Sequence, residues 1–203
     1  KSDIDFVIAT AKNRVWIVRT LCTLLKKTIL FNRKKFFCYN HIVSEDRLEV
    51  VDRNLYTAME VVTLVPMINP ALYKKFLNAN TWTRAFLPNL CLSEPAEPSV
   101  ERGISPAERF INAVVPSNTL DSVDRWLMMK WRRAWIRRYP GLSPAKRGQL
   151  FQSTPDVSTA YAGDFFQSIM GQYELRLRAC DLVPPVEFSD NRIKSPTPSL
   201  SIL

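Results

Sequence analysis

The chain has 203 residues, a hydrophobic fraction of 46% and a net charge of +9, enough apolar material for one domain with a true core or two small ones and too much for a disordered chain. Five glycines against 14 prolines argue against glycine-rich nucleotide loops and the many tight turns of a β-sandwich. No apolar run approaches the ~18–20 residues of a transmembrane helix, and the longest, residues 61–68, is broken by Pro66.

In chain order, the first pattern is a stripe of Ile4, Ile8, Ala11, Val15, Val18, Cys22, Leu25 and Ile29, in alternating steps of four and three. It predicts a helix of about 27 residues, with Ser2, Asp3 and Asp5 suited to its first turn. Ser44 with Glu45 and Asp46 predicts a second start, with a stripe of Leu48, Val51, Leu55, Ala58, Val62 and Val65 ended by Pro66. The two form an antiparallel hairpin across the aromatic linker FNRKKFFCYNHIV. Asn69-Pro70 opens a short helix to about Asn78, and residues 81–87 allow one more turn.

Residues 88–104 are a proline-rich linker, after which Ser105-Pro106 opens a helix to about Val115. Asn118 or Thr119 then caps a cationic helix that stops at Pro140-Gly141. Ser143-Pro144 opens a short helix to about Phe151. Thr154-Pro155 opens a long one carrying Tyr161, Phe165, Ile169, Tyr173 and Leu177. Residues 184–203 read as an extended tail. The expected fold is therefore all-α: a hairpin with heptad-like stripes and a short third helix over 1–87, the linker, a second helical part over 105–183, and the tail.

Cys22, Cys38, Cys91 and Cys180 are scattered without a C-x-x-C, so the expectation is buried free thiols in a reducing compartment, with neither a metal site nor disulfides. His41 is the single histidine and reads as packed or solvent-facing. The acids Asp3, Asp5, Glu45, Asp46, Asp121 and Asp124 read as first-turn residues of their own helices. Phosphate-loop, dinucleotide, nucleophile-elbow and zinc-protease motifs are all absent, so no catalytic residue, cofactor or small-molecule substrate is expected.

The distinctive segment is RWLMMKWRRAWIRRYPG, residues 125–141, holding three of the five tryptophans. Eight bases and no acid lie between Arg125 and Arg147, so the rest of the chain is close to neutral. On a helical wheel Leu120, Val123, Leu127, Trp131, Ala134 and Trp135 form a core face. Arg125 and Arg132 fall on one flank, Lys130, Arg133 and Arg137 on the other. Met129 and Ile136 lie opposite the core, with Trp126 on the second flank. A helix covered on one side only needs no apolar residues on its outer side. The contact residues expected are Arg125, Trp126, Met129, Lys130, Arg132, Arg133, Ile136, Arg137 and Arg138.

Tryptophan, methionine and arginine are interface residue types, and tryptophan beside arginine also suits anionic lipid headgroups such as cardiolipin. The expected role is a non-catalytic accessory subunit of a large mitochondrial assembly, an inner-membrane respiratory complex or ATP synthase, docked on other subunits. The alternative is a mitochondrial ribosomal or other RNA-binding protein. A basic chain with free thiols, beginning at Lys1 without a secretory h-region, fits a matrix or peripheral inner-membrane setting with a presequence removed, or a fragment.

Overall fold

Along DFVIAT, Asp5 and Val7 face outward while Phe6 and Ile8 turn inward, the period-two pattern of a strand. This is β1, Asp5–Thr10. The chain then turns at Asn13, whose φ of 56° is left-handed, and enters α1, Val15–Thr28. The aromatic and β-branched run CYNHIVS forms β2, Cys38–Ser44. There follow α2 (Leu55–Val62), α3 (Pro70–Ala79), α4 (Thr83–Phe86), α5 (Ser117–Arg138), α6 (Pro144–Leu150), β3 (Val157–Thr159) and α7 (Phe165–Ala179). The computed structural model describes residues 4–29, 37–90, 116–161 and 165–182. The expected linker, the helix from Ser105 and the tail fall mainly outside them.

β1 pairs parallel with β2, Ile8 beside Ile42 and Thr10 beside Ser44. β2 pairs antiparallel with β3, Val43 beside Val157. The sheet is mixed, in the order β1-β2-β3. One compact unit takes in β1, α1, β2, α3, α5, α6 and β3, and a second takes in α2, α4 and α7.

This corrects the all-α expectation. The described residues hold seven helices and three strands, and they form no long hairpin. The predicted first helix is a strand, a turn and a shorter helix. The helix buries Val15, Trp16 and Arg19, whereas Leu25 and Ile29 of the predicted stripe are 42% and 65% exposed. Ser44 opens no helix: it ends β2, fully buried, and its hydroxyl accepts from Asp46 N at 3.4 Å in a local turn. Helix α2 starts at Leu55, behind an Asn54 cap whose side chain accepts from Thr57 N.

Thr154-Pro155 also leads into a strand. The Thr154 hydroxyl accepts from Val157 N at 2.9 Å, the bond a helix cap makes, but here it closes the turn before β3. The Asn69 and Ser143 caps do start helices, accepting from Leu72 N and Lys146 N.

The first unit is built around aromatic rings. Trp135 meets Trp16 edge-on at 5.8 Å, Trp131 at 5.6 Å and Phe151 stacked at 5.2 Å. Val15, Ile42 and Met128 complete the buried cluster. Two indole N–H groups of the cluster have acceptors: Trp16 Nε1 donates to Thr154 O at 2.8 Å and half-buried Trp131 Nε1 to Thr20 Oγ1 at 3.0 Å. In the second unit buried Asn80 ties the chain together, its Oδ1 accepting from Val50 N at 2.8 Å and Trp82 Nε1 at 3.0 Å.

Helix α1 begins without a cap of its own: the Arg14 side chain accepts no bond from the helix's first N–H groups. The acceptor comes from α5. Asp124 Oδ1 receives both Trp16 N and Ile17 N at 2.8 Å, satisfying two of the four orphan N–H groups of a helix start. Arg14 Nη1 donates to Asp121 Oδ1 at 2.6 Å one turn away on α5. Neither acid serves the start of its own helix, contrary to the expectation from sequence that both are first-turn residues there.

Burial pushes the Asp124 carboxyl above its ordinary value despite these bonds, so the acceptor oxygen matters more than the charge. Asp124→Ala should lower unfolding free energy by about 2 kcal/mol, from two buried N–H groups left unsatisfied. Asp124→Asn, which keeps an acceptor, should cost less than about 1 kcal/mol. Urea unfolding midpoints of the two variants check the order, and equal losses would contradict it.

Candidate functional site

The nine residues singled out on the cationic segment, Arg125, Trp126, Met129, Lys130, Arg132, Arg133, Ile136, Arg137 and Arg138, are all exposed on α5. The helix has two unlike faces. Inward it presents buried Asp124, Met128 and Trp135, with Leu127 and Trp131 half-buried against the core. The predicted core face is thus rotated: Val123 is 40% exposed and Ala134 is exposed, while Asp124 and Met128 take the buried places. Sequence reasoning missed Asp124 because it sorted residues by polarity, and Asp124 is an acid with a structural partner.

Outward, Trp126, Met129 and Ile136 are 57%, 40% and 49% exposed. Ser122, Arg125, Trp126, Met129, Lys130 and Arg133 line an open groove of about 410 Å³. Lys130 Nζ lies 5.1 Å over the Trp126 ring, a contact worth roughly 0.5–1 kcal/mol at an exposed site. Arg138 lies 6.0 Å over Tyr139. Among the described residues the ion pairs are Lys12–Asp46 and Arg14–Asp121, so the α5 bases carry no carboxylate partner there. Ser122, absent from the sequence-based set, completes the groove.

A second cluster is internal. Arg19 is 3% exposed; its Nη2 donates to Ser158 O at 2.9 Å, and its guanidinium lies 5.5 Å from the Trp135 ring and 5.7 Å from the Tyr39 ring. It has no carboxylate partner among the described residues. Burial lowers its pKa to about 10, so it stays charged at neutral pH, spread over two ring faces and a carbonyl. His41, on β2 between Val7 and Thr159, is pushed down to about 4 by burial and then by Arg19. The two are structural neighbours within a packed sheet and helix.

The carboxyl ends of parallel strands, with the helix start between them, are where α/β sheets take phosphate. Here the Asp124 carboxylate already holds the Trp16 and Ile17 N–H groups at the start of α1. Among the described residues no three His, Cys, Asp or Glu side chains converge on a common point, and no helix is long and apolar enough to cross a membrane. Cys22 and Cys38 are free and half-buried; Cys180 is free and exposed, against the expectation of burial.

Fold and site together define a mixed α/β chain with a two-faced basic helix. The chain matches no protein-family model, no curated protein and no solved structure. The respiratory, ATP-synthase and ribosomal associations drawn from composition therefore gain no relative.

The histidine gives a pH test. Between pH 6.5 and about 4 the unfolded chain binds a proton at His41 that the folded chain refuses. The stability from neutral His41 is complete above 6.5 and is lost as pH falls toward 4. With one histidine in the chain, its imidazole resonance should titrate near pH 4, and a midpoint near 6.5 would contradict the packing described.

Proposed function

We propose that the protein is a non-catalytic accessory subunit of a larger assembly, docked through the outer face of α5 on an acidic partner protein. The observation that carries this is the exposure of Trp126, Met129 and Ile136 among bases that have no carboxylate partner among the described residues, on the side of α5 away from its core residues. Magnitudes separate the roles. Fully burying one such apolar side chain is worth about 1.5–3 kcal/mol, whereas an exposed ion pair contributes about 0–1 kcal/mol. The apolar residues supply affinity, and the bases supply partner choice and association rate. A basic chain with free thiols supports a mitochondrial setting, peripheral to the inner membrane or on its matrix side.

The test is native purification of the tagged protein under mild detergent, through RNase treatment and a salt series. Partner subunits should stay bound through both, and Trp126→Ala should weaken their retention about thirtyfold, as for a hot-spot tryptophan. Met129→Ser and Ile136→Ser should add to the loss while the far-UV circular dichroism stays unchanged, since all three side chains are exposed. Material that is RNA, and that leaves on RNase treatment or at moderate salt, would replace this reading with the RNA-binding one.

A further inference from the structure

Ser122, Trp126, Met129, Arg133 and Ile136 follow one another at steps of four, three, four and three. This is the spacing of a coiled-coil seam, and all five residues are exposed on α5. The same helix uses a like spacing on its buried side, where Asp124, Met128, Trp131 and Trp135 step by four, three and four against the core. α5 therefore carries two helix-packing seams, one filled and one bare among the described residues.

Flanking positions identify the occupant. In heptad terms Trp126 and Arg133 are at a, with Ser122, Met129 and Ile136 at d. The adjoining g positions are Arg125 and Arg132, and the e positions beside Met129 and Ile136 are Lys130 and Arg137. All four flanking residues are exposed bases. Charges at e and g choose the partner of a heptad seam, and flanks of one sign on both sides repel a second copy of the same helix. They match acids on both flanks of a different one.

Resting on the docking reading above, the geometry points to an acidic amphipathic helix of another protein as the element that packs on this seam, with apolar residues against Trp126, Met129 and Ile136. Arg133 in the middle of the seam sets the register. Its stem packs along the partner and its guanidinium calls for a carboxylate opposite, as a single polar a position does in coiled coils. From Ser122 to Ile136 the seam runs for about 21 Å at 1.5 Å per residue, two heptads, which suits a contact of moderate strength within a larger assembly. A nucleic-acid backbone would use the bases but has no counterpart for apolar residues recurring at this period.

The probe is a labelled three-heptad peptide with Leu and Ile at a and d and Glu at e and g, titrated against the full chain by fluorescence anisotropy. Its comparators are a scrambled peptide of the same composition and a version with Lys at e and g. A 20-nucleotide uridine-rich RNA is the competitor.

The expected result is binding near ~10 µM for the acidic heptad peptide, about tenfold weaker binding of the scrambled one, and none of the basic one. Reversing the flanks together (R125E, K130E, R132E, R137E) should transfer binding to the basic peptide, with far-UV circular dichroism showing that the fold is kept. Equal binding of heptad and scrambled peptides would overturn the helix partner while leaving a generic acidic docking site. Absence of binding by either peptide would overturn it too, with the docking reading then judged by retention of the native assembly. Displacement of the peptide by the RNA at lower concentration than by unlabelled peptide would overturn both.

Discussion

One carboxylate fixes how the two ends of the first unit meet. Asp124 lies 108 residues from Trp16 along the chain, yet it supplies the acceptor that the start of α1 lacks. Two short bonds from one oxygen to adjacent backbone N–H groups tolerate little rotation of either helix. With Asp124 held there, Met128, Trp131 and Trp135 come round onto the sheet side by helical spacing alone. The aromatic cluster with Trp16 and Phe151 then follows. Desolvation works against the arrangement and the backbone bonds work for it; the neighbouring Arg14–Asp121 pair holds the same junction from its more exposed side.

The positive charges divide into two kinds by their surroundings. Arg19 is buried, bonded to a strand carbonyl and faced by two rings. Removing a fixed, desolvated charge of this kind disturbs the core around it, and its field helps keep His41 neutral. The α5 bases are solvated, and their long side chains lie beside apolar ones that water does not favour. The first kind belongs to the fold. The second makes no ion pair among the described residues and faces solvent.

Much of this was legible from local chemistry. Asn69-Pro70, Ser143-Pro144 and Pro140-Gly141 mark helix ends in the structure because each restricts its own backbone. The outward places of Met129 and Ile136 followed from sorting one long helix by period. The strands were not read, since a four-three stripe can be drawn through a strand followed by a helix when both are rich in Ile and Val. Ile4 and Ile8 belong to such a strand region, and only the turn at Asn13 separates it from α1. Thr154 shows a deeper ambiguity: a hydroxyl accepting from the N–H three residues on occurs both in helix caps and in turns, and the following residues decide between them. The role of Asp124 was beyond local reading altogether, because its partners lie in a distant part of the chain.

The central claim is that one helix serves two surfaces, with Asp124 and the aromatic core setting the rotation that turns Trp126 outward. Hydroxyl-radical footprinting of the tryptophans, in the isolated protein and in its native assembly, tests it most directly. Trp126 should label strongly in the isolated protein and become protected in the assembly, while Trp16 and Trp135 stay unlabelled in both. Protection of Trp126 already in the isolated chain, or equal labelling of Trp126 in the two states, would contradict the account.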